Sequence, residues 1–200
     1  CEFSKRGSAQ IKYSGGSIDY NNRFLKDFRK IKGQELIILG VLRRHPEGLF
    51  ISELVEKLTN KHTGKVCMGR DVRNKALDYL IKQGFVELKK GLKDERERKF
   101  LYKPQGTFGT GYTIVSNGAI NGAIYGQVKA QELKLYVLLL KYAYGKGQAY
   151  PSRTVLSKEM GLTETAITKL SNSLQKVDYL KKTKIKTEKG QDKIVYELLV

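Results

Sequence analysis

Cysteine is nearly absent. Cys1 and Cys67 are the only two in 200 residues, too few and too far apart for a disulfide framework or a four-ligand zinc site, so both are expected as free thiols. Histidine is equally scarce. His62 shares a polar turn with Cys67, yet two ligands do not close a tetrahedron, and His45 sits at a helix end, where a cationic ring meets the helix dipole favourably. No metal and no cofactor are expected. No apolar run approaches the roughly 20 residues needed to span a bilayer, and no secretory pattern opens the chain, so the expected setting is the cytoplasm, with no membrane partner. The chain opens on Cys rather than Met, as a fragment or a processed or cloned product does.

Acidic side chains are also in deficit. Against 38 Lys and Arg stand 20 Asp and Glu, a net charge of +18, and a field of that sign attracts polyanions, nucleic acid being the usual one. The excess is spread along the chain, +11 over residues 1–104 and +7 over 105–200, so each half is able to meet phosphate. Hydrophobic residues make up 40%, enough to build one domain or two small ones.

Catalytic spacings are missing. The run GTFGTG at 106–111 lacks the Gly-Lys-Ser/Thr of a phosphate loop, and Gly64-Lys65 is followed by Val66 without a glycine five residues upstream. Asp94, Glu95 and Glu97 alternate with Arg96, Arg98 and Lys99, which neutralise them as on a solvated hairpin tip. No catalytic residue is assigned, and a binding protein rather than an enzyme is expected.

Along the chain, residues 1–20 show no sustained period and read as an arm or an irregular strand pair, a solvated tail being favoured over one whose Lys5, Arg6 and Lys12 follow a phosphate backbone or enter a minor groove. Asn21 or Asn22 caps a short helix to Lys32. Its apolar face, Phe24, Leu25, Phe28 and Ile31, needs either the following domain or a second copy of the chain as a packing partner. Gln34 to Arg44 reads as a central helix, Phe50-Ile51 as a strand, Glu53 to Leu58 as a helix capped by Ser52, and Asn60 to Met68 as a polar turn. Gly69 to Gln83 restores helical spacing through Val72, Ala76, Tyr79 and Leu80, and Phe85–Lys89 with Lys99–Lys103 alternate as a hairpin. Gln105 to Val128 is Gly-rich and nearly uncharged. It reads as an interdomain connection that lets the domains reorient, holding a strand at Tyr112–Ser116 and a helical turn at Asn117–Ile124. Lys129 to Tyr144 is a helix with Leu133, Tyr136, Val137 and Leu140 on its apolar side.

The stretch from Ala149 to Lys193 reads as helix, tight turn, helix and basic hairpin. Ser152 caps the first helix, Gly161 ends it and Thr163 caps the second. The second carries Ala166, Leu170, Ser173, Leu174 and Val177 on one stripe, leaving Glu164, Thr165, Thr168, Asn172 and Lys176 on the other side. The earlier half follows the same plan: Phe50-Ile51-Ser52 lies 100 positions before Tyr150-Pro151-Ser152, and Phe85-Val86 lies 94 before Tyr179-Leu180. The chain therefore carries a diverged internal repeat, with Asn60–Lys65 supplying the extra length in a turn.

The run Tyr150-Pro151-Ser152, three residues, Leu156-Ser157, three residues, Gly161-Leu162-Thr163, continuing through Thr165, Ile167, Leu170 and Leu174, resembles the winged helix-turn-helix modules of bacterial regulators and of plasmid and phage replication proteins. The resemblance covers roughly residues 129–199. It implies a mostly α fold with small β-hairpins (α+β), two winged-helix domains in tandem: an arm and short helix at 1–32, a first domain at 33–104, a Gly-rich linker at 105–128 and a second domain at 129–200. It also implies a sequence-specific double-stranded DNA binder, associated with the nucleoid. A transcriptional regulator is the leading reading, beside a plasmid or phage replication initiator binding origin repeats, or a winged-helix scaffold for protein partners. The reading positions it implies are Thr165, Thr168, Lys169, Asn172 and Lys176 in the second domain, and Arg70, Arg73, Asn74, Lys75 and Asp78 in the first. Lys182, Lys184 and Lys186 would form a cationic ridge on a wing that Lys181, Lys189 and Lys193 share. Asp71 and Glu164 depart from an ideal DNA face.

Overall fold

The computed structural model describes residues 16–21, 24–89, 99–102, 111–186, 190 and 192–199. Residues 1–15 of the expected arm at 1–20, residues 105–110 of the expected linker, the first hairpin tip at 90–98 and Lys189 lie outside them. Ser17–Asn21, which takes in the end of the expected solvated arm, is a strand with Ile18 and Tyr20 buried. Among the described residues the fold is α+β, seven α-helices with small antiparallel sheets.

The first half runs β1 (Ser17–Asn21), a 3-10 turn η1 (Phe24–Asp27), α1 (Gly33–Arg43), β2 (Leu49–Phe50), α2 (Ile51–Lys57), α3 (Arg70–Lys82), β3 (Val86–Lys89) and β4 (Lys99–Tyr102). The second runs β5 (Tyr112–Ser116), α4 (Asn117–Ile124), α5 (Ala130–Ala143), β6 (Gln148–Ala149), α6 (Arg153–Met160), α7 (Glu164–Lys176), β7 (Leu180–Lys186) and β8 (Asp192–Leu198). Each half builds a three-stranded sheet with its last strand in the middle, β2-β4-β3 and β6-β8-β7. The expected repeat is present, and it begins earlier than expected: β1 with η1 corresponds to β5 with α4.

α1 and α5 form the centre. An exposed helix needs one apolar stripe, but α1 buries Leu36, Ile37, Ile38, Leu39, Val41 and Leu42, and α5 buries every residue from Leu133 to Leu140, so both are covered all round. They cover each other. A Cβ on Gly33 would lie 1.9 Å from the Ala130 carbonyl oxygen, so only glycine permits this approach. β1 pairs antiparallel with β5, Ile18 opposite Val115 and Tyr20 opposite Thr113. The inward sides, Ile18, Tyr20 and Val115, face the same core as α1 and α5.

Several local expectations are corrected. Among the described residues, Phe24 to Lys32 forms only η1, not a helix reaching Lys32. α2 starts at Ile51 with Phe50 as its cap, because Glu53 Oε2 accepts from the Phe50 amide at 2.8 Å and leaves Ser52 inside the first turn. Residues 112–124 are not a free connection. Their small and apolar side chains, Val115, Ala119, Ile120, Ala123 and Ile124, are buried between the halves. The low charge that suggested a linker is the composition of packed interior.

The extra length of the first half also has a structural role. Asn60, buried, holds its own turn by accepting from the His62 amide at 2.9 Å, and its Nδ2 donates to the Tyr125 carbonyl of the second half at 3.1 Å. The His62 ring meets Tyr125 edge-on with 5.9 Å between centroids. Removing the Asn60 amide leaves buried groups unpaired, so Asn60→Ala is expected to cost about 1 to 3 kcal/mol in urea unfolding. A loss no larger than that of an exposed neighbour such as Lys61→Ala would show that the turn carries no such load.

Candidate nucleic-acid interface

α6 and α7 are joined by a three-residue turn whose ends are fixed chemically. Ser152 Oγ accepts from the Val155 amide and Thr163 Oγ accepts from the Ala166 amide, both at 3.2 Å, while Gly161 takes φ +67° at the α6 C-terminus. These are the caps expected from the sequence. The buried stripe of α7 is Ile167, Ser171 and Leu174. It is rotated from the expected Ala166–Val177 line, and Val177 is 38% exposed. Burial of Ser171 costs little because its Oγ donates to the Thr168 carbonyl at 3.1 Å.

Opposite that stripe, Thr165, Lys169, Asn172 and Lys176 are exposed at spacings of four, three and four residues, one continuous line along the helix. Thr168 is half-buried at its edge, with its hydroxyl donating to the Glu164 carbonyl at 2.9 Å. Glu164 itself is engaged by Thr154 Oγ at 2.6 Å, which anchors the carboxylate beside α6 at the helix start. The line is thus cationic and amide-bearing.

The hairpin β7–β8 lies against this helix. Lys182 is half-buried, its ammonium donating to Asn172 Oδ1 and to Ser171 Oγ, the latter at 3.4 Å, and burial pulls its pKa below the ordinary lysine value. It is therefore not part of a free ridge. Lys184 and Lys186 are exposed, Lys186 opposite Asp192 in the ladder. Lys184, Lys193, Arg153 and Ser152 line a cleft of about 490 Å³ between the hairpin and the start of α6, with Lys193 5.1 Å from the centre of the Tyr150 ring. The first half repeats that pairing, Lys99 lying 4.5 Å from the Phe50 ring centre.

α3 presents a different surface. Arg73 is buried on the same side as Ala76, Leu77 and Leu80, its Nε without a hydrogen-bond partner among the described residues, so it is withdrawn from the set of outward residues. Val72, expected inside, is 44% exposed. Arg70, Asn74 and Lys75 are exposed as expected, but helical spacing lines Lys75 and Lys82 up with Asp71 and Asp78, each cation three or four residues from an acid. With Arg70, Lys75 and Lys82 against Asp71 and Asp78, the exposed face of α3 carries a net +1, the same as Lys169 and Lys176 against Glu164 on α7. Sequence reasoning preferred α3 for direct readout, and helix charge does not separate the two; the hairpin beside α7 adds the exposed Lys181, Lys184, Lys186 and Lys193.

Residues 128–180 match the family model of a helix-turn-helix domain. The match covers α5, β6, α6 and α7 and ends at the first residue of β7, so the helix-turn-helix is the unit whose second helix carries the Thr165–Lys176 line. This supports DNA as the partner. No curated protein matches the chain as a relative.

Elsewhere, no helix of the described residues is long and apolar enough to cross a membrane, and no three His, Cys, Asp or Glu side chains among them cluster to hold a metal. Cys67 is a free thiol that burial pushes up to about 11, well away from a reactive thiolate.

Proposed function

We propose that the chain is a sequence-specific double-stranded DNA-binding protein, a transcriptional regulator rather than an enzyme, built from two winged helix-turn-helix modules. The observation that carries this reading is the exposed line Thr165, Lys169, Asn172 and Lys176 on the second helix of a capped helix-turn-helix. In the proposed interface α7 enters the major groove, where Asn172 has the geometry to pair with adenine and the lysines meet guanine or phosphate. The β7–β8 hairpin and the cleft beside it hold backbone. α3 reads a second stretch with Arg70 and Asn74.

A replication initiator remains the second reading, favoured by the repetition of the whole module on one chain. Footprinting on genomic DNA separates the two: protection over a promoter supports regulation, and protection of repeated sites at a replication origin supports initiation. The scaffold reading draws on the exposed acids Asp71 and Asp78 on the face of α3. Weak, sequence-independent gel shifts together with a stoichiometric protein partner would favour it and overturn the proposal.

Arg70→Ala tests the first reading helix. It is expected to lose about 1 to 3 kcal/mol on the cognate site and to relax preference at one base pair. Equal losses on random DNA would make Arg70 a phosphate contact.

A further inference from the structure

At the centre of the junction between the two halves, elements touch their own counterparts. β1 pairs antiparallel with β5, and these strands open their respective repeats. α1 meets α5 at Gly33 and Ala130, which are the first residues of the two helices. They lie in matching pentapeptides, Lys32-Gly33-Gln34-Glu35-Leu36 and Lys129-Ala130-Gln131-Glu132-Leu133. The match extends to chemistry. Both glutamates are buried and reach back to the preceding lysine amide, Glu35 to Lys32 at 2.6 Å and Glu132 to Lys129 at 2.7 Å.

Contacts away from this point are reciprocal. With Gly33 aligned to Ala130, Arg44 at the end of α1 corresponds to Lys141 of α5. Arg44 reaches into α4 of the other half, donating to Asn121 Oδ1 at 2.8 Å and to the Asn117 carbonyl at 3.4 Å. Lys141 reaches into η1, the counterpart of α4, donating to the Leu25 carbonyl at 3.5 Å. Within each half, the residue after the second helix of the pair also touches its own short helix: Phe85 meets Phe24 with 4.7 Å between ring centroids, and Tyr179 Oη lies 3.5 Å from the Ala119 carbonyl.

A head-to-tail relation between repeats brings two different patches together. Only a twofold brings a patch onto its own copy and makes off-axis contacts reciprocal. We infer that the chain is a covalently joined pseudo-dimer whose dyad passes close to Gly33 and Ala130, so that one chain binds an inverted pair of DNA half-sites through α3 and α7. This rests on the DNA-binding reading above and specifies its substrate.

The half-sites are unequal. α7 offers Thr165, Lys169, Asn172 and Lys176 beside a hairpin with Lys181, Lys184, Lys186 and Lys193 exposed, whereas α3 offers Arg70, Asn74, Lys75 and Lys82 with Asp71 and Asp78 among them, beside strands whose described residues expose Glu87 and Lys89. The preferred DNA is therefore an imperfect inverted repeat in which the α7 half-site supplies most of the affinity. A twofold pair of helix-turn-helix units reads half-sites about one helical turn apart, roughly 34 Å. The junction sets that separation, because Gly33 admits no side chain against Ala130.

The experiment is selection from a random duplex library with the full chain, followed by native mass spectrometry on the selected duplex. Expected are two dissimilar half-sites in opposite orientation at one fixed spacing, with one chain per duplex. Inserting about five base pairs, half a turn, should reduce affinity to that of the α7 half-site alone. Asn172→Ala should blur the stronger half-site and leave the weaker one sharp. Half-sites in direct orientation, indifference to the insertion, a single uninterrupted site, or two chains per duplex would overturn the inference and leave the DNA-binding reading standing. Selection that enriches no sequence would overturn both.

Discussion

Converting Lys182, Lys184 and Lys186 together to Gln is expected to flatten the salt dependence of DNA binding by about 2 units of log affinity per log salt, from roughly 0.9 unit for each phosphate neutralised. Three exposed lysines would give nearer 3. The lower figure follows from Lys182, whose ammonium is already committed to Asn172 and Ser171 in the free protein and must leave them to reach a phosphate. Lys184 and Lys186 carry no such tie among the described residues and are exposed on the strand. The loss should be similar on specific and random DNA, since backbone contacts carry no sequence information. Titrations at several salt concentrations read the slope directly. An unchanged slope in a folded triple variant would take the hairpin out of the interface and weight the scaffold reading.

The second large effect is on stability. Tyr136 is fully buried on α5 and meets Tyr179 edge-on with 5.3 Å between ring centroids. Tyr136→Ala should cost about 3 to 5 kcal/mol, the range for deleting a large buried aromatic, against total stabilities of about 5 to 15 kcal/mol for proteins of this kind. The core is continuous from η1 through α1 and α5 to β8, so the loss should be felt in both halves. Hydrogen exchange in α1 should accelerate along with that in α5, and urea unfolding should remain one transition. Exchange that rises only in the second half would show two independently folding units.

Much of this was readable in advance, and the failures have physical causes. Caps were legible because Ser152, Thr163 and Gly161 act through bonds a few residues long. The exposed line of α7 was legible in part: Thr165, Asn172 and Lys176 fall on the expected outer side, although the buried stripe of Ile167, Ser171 and Leu174 is rotated from the expected one. α3 misled because Arg73 is buried while Val72 stays exposed, the reverse of what polarity suggests. The stretch 112–124 misled because glycine was read as freedom where it serves close packing; a Cβ on Gly122 would lie 1.8 Å from the Tyr179 hydroxyl. Two signals were present and overlooked. The Lys-x-Gln-Glu-Leu pattern occurs at 32–36 and at 129–133, and α5 carries Leu135, Leu138 and Leu139 beyond what one apolar stripe requires, which calls for a second packing partner. The seat of Lys182 was out of reach, because a side chain crossing from a hairpin to a helix leaves no periodic trace.

That seat bears on how the proposed protein would read a base. Pairing with adenine uses both ends of the Asn172 amide, and the Lys182 ammonium takes one of the two lone pairs of its oxygen. In the proposed interface the second lone pair would accept from adenine while Lys182 keeps the amide in place. The cost of ordering that reading side chain would then fall on folding rather than on binding.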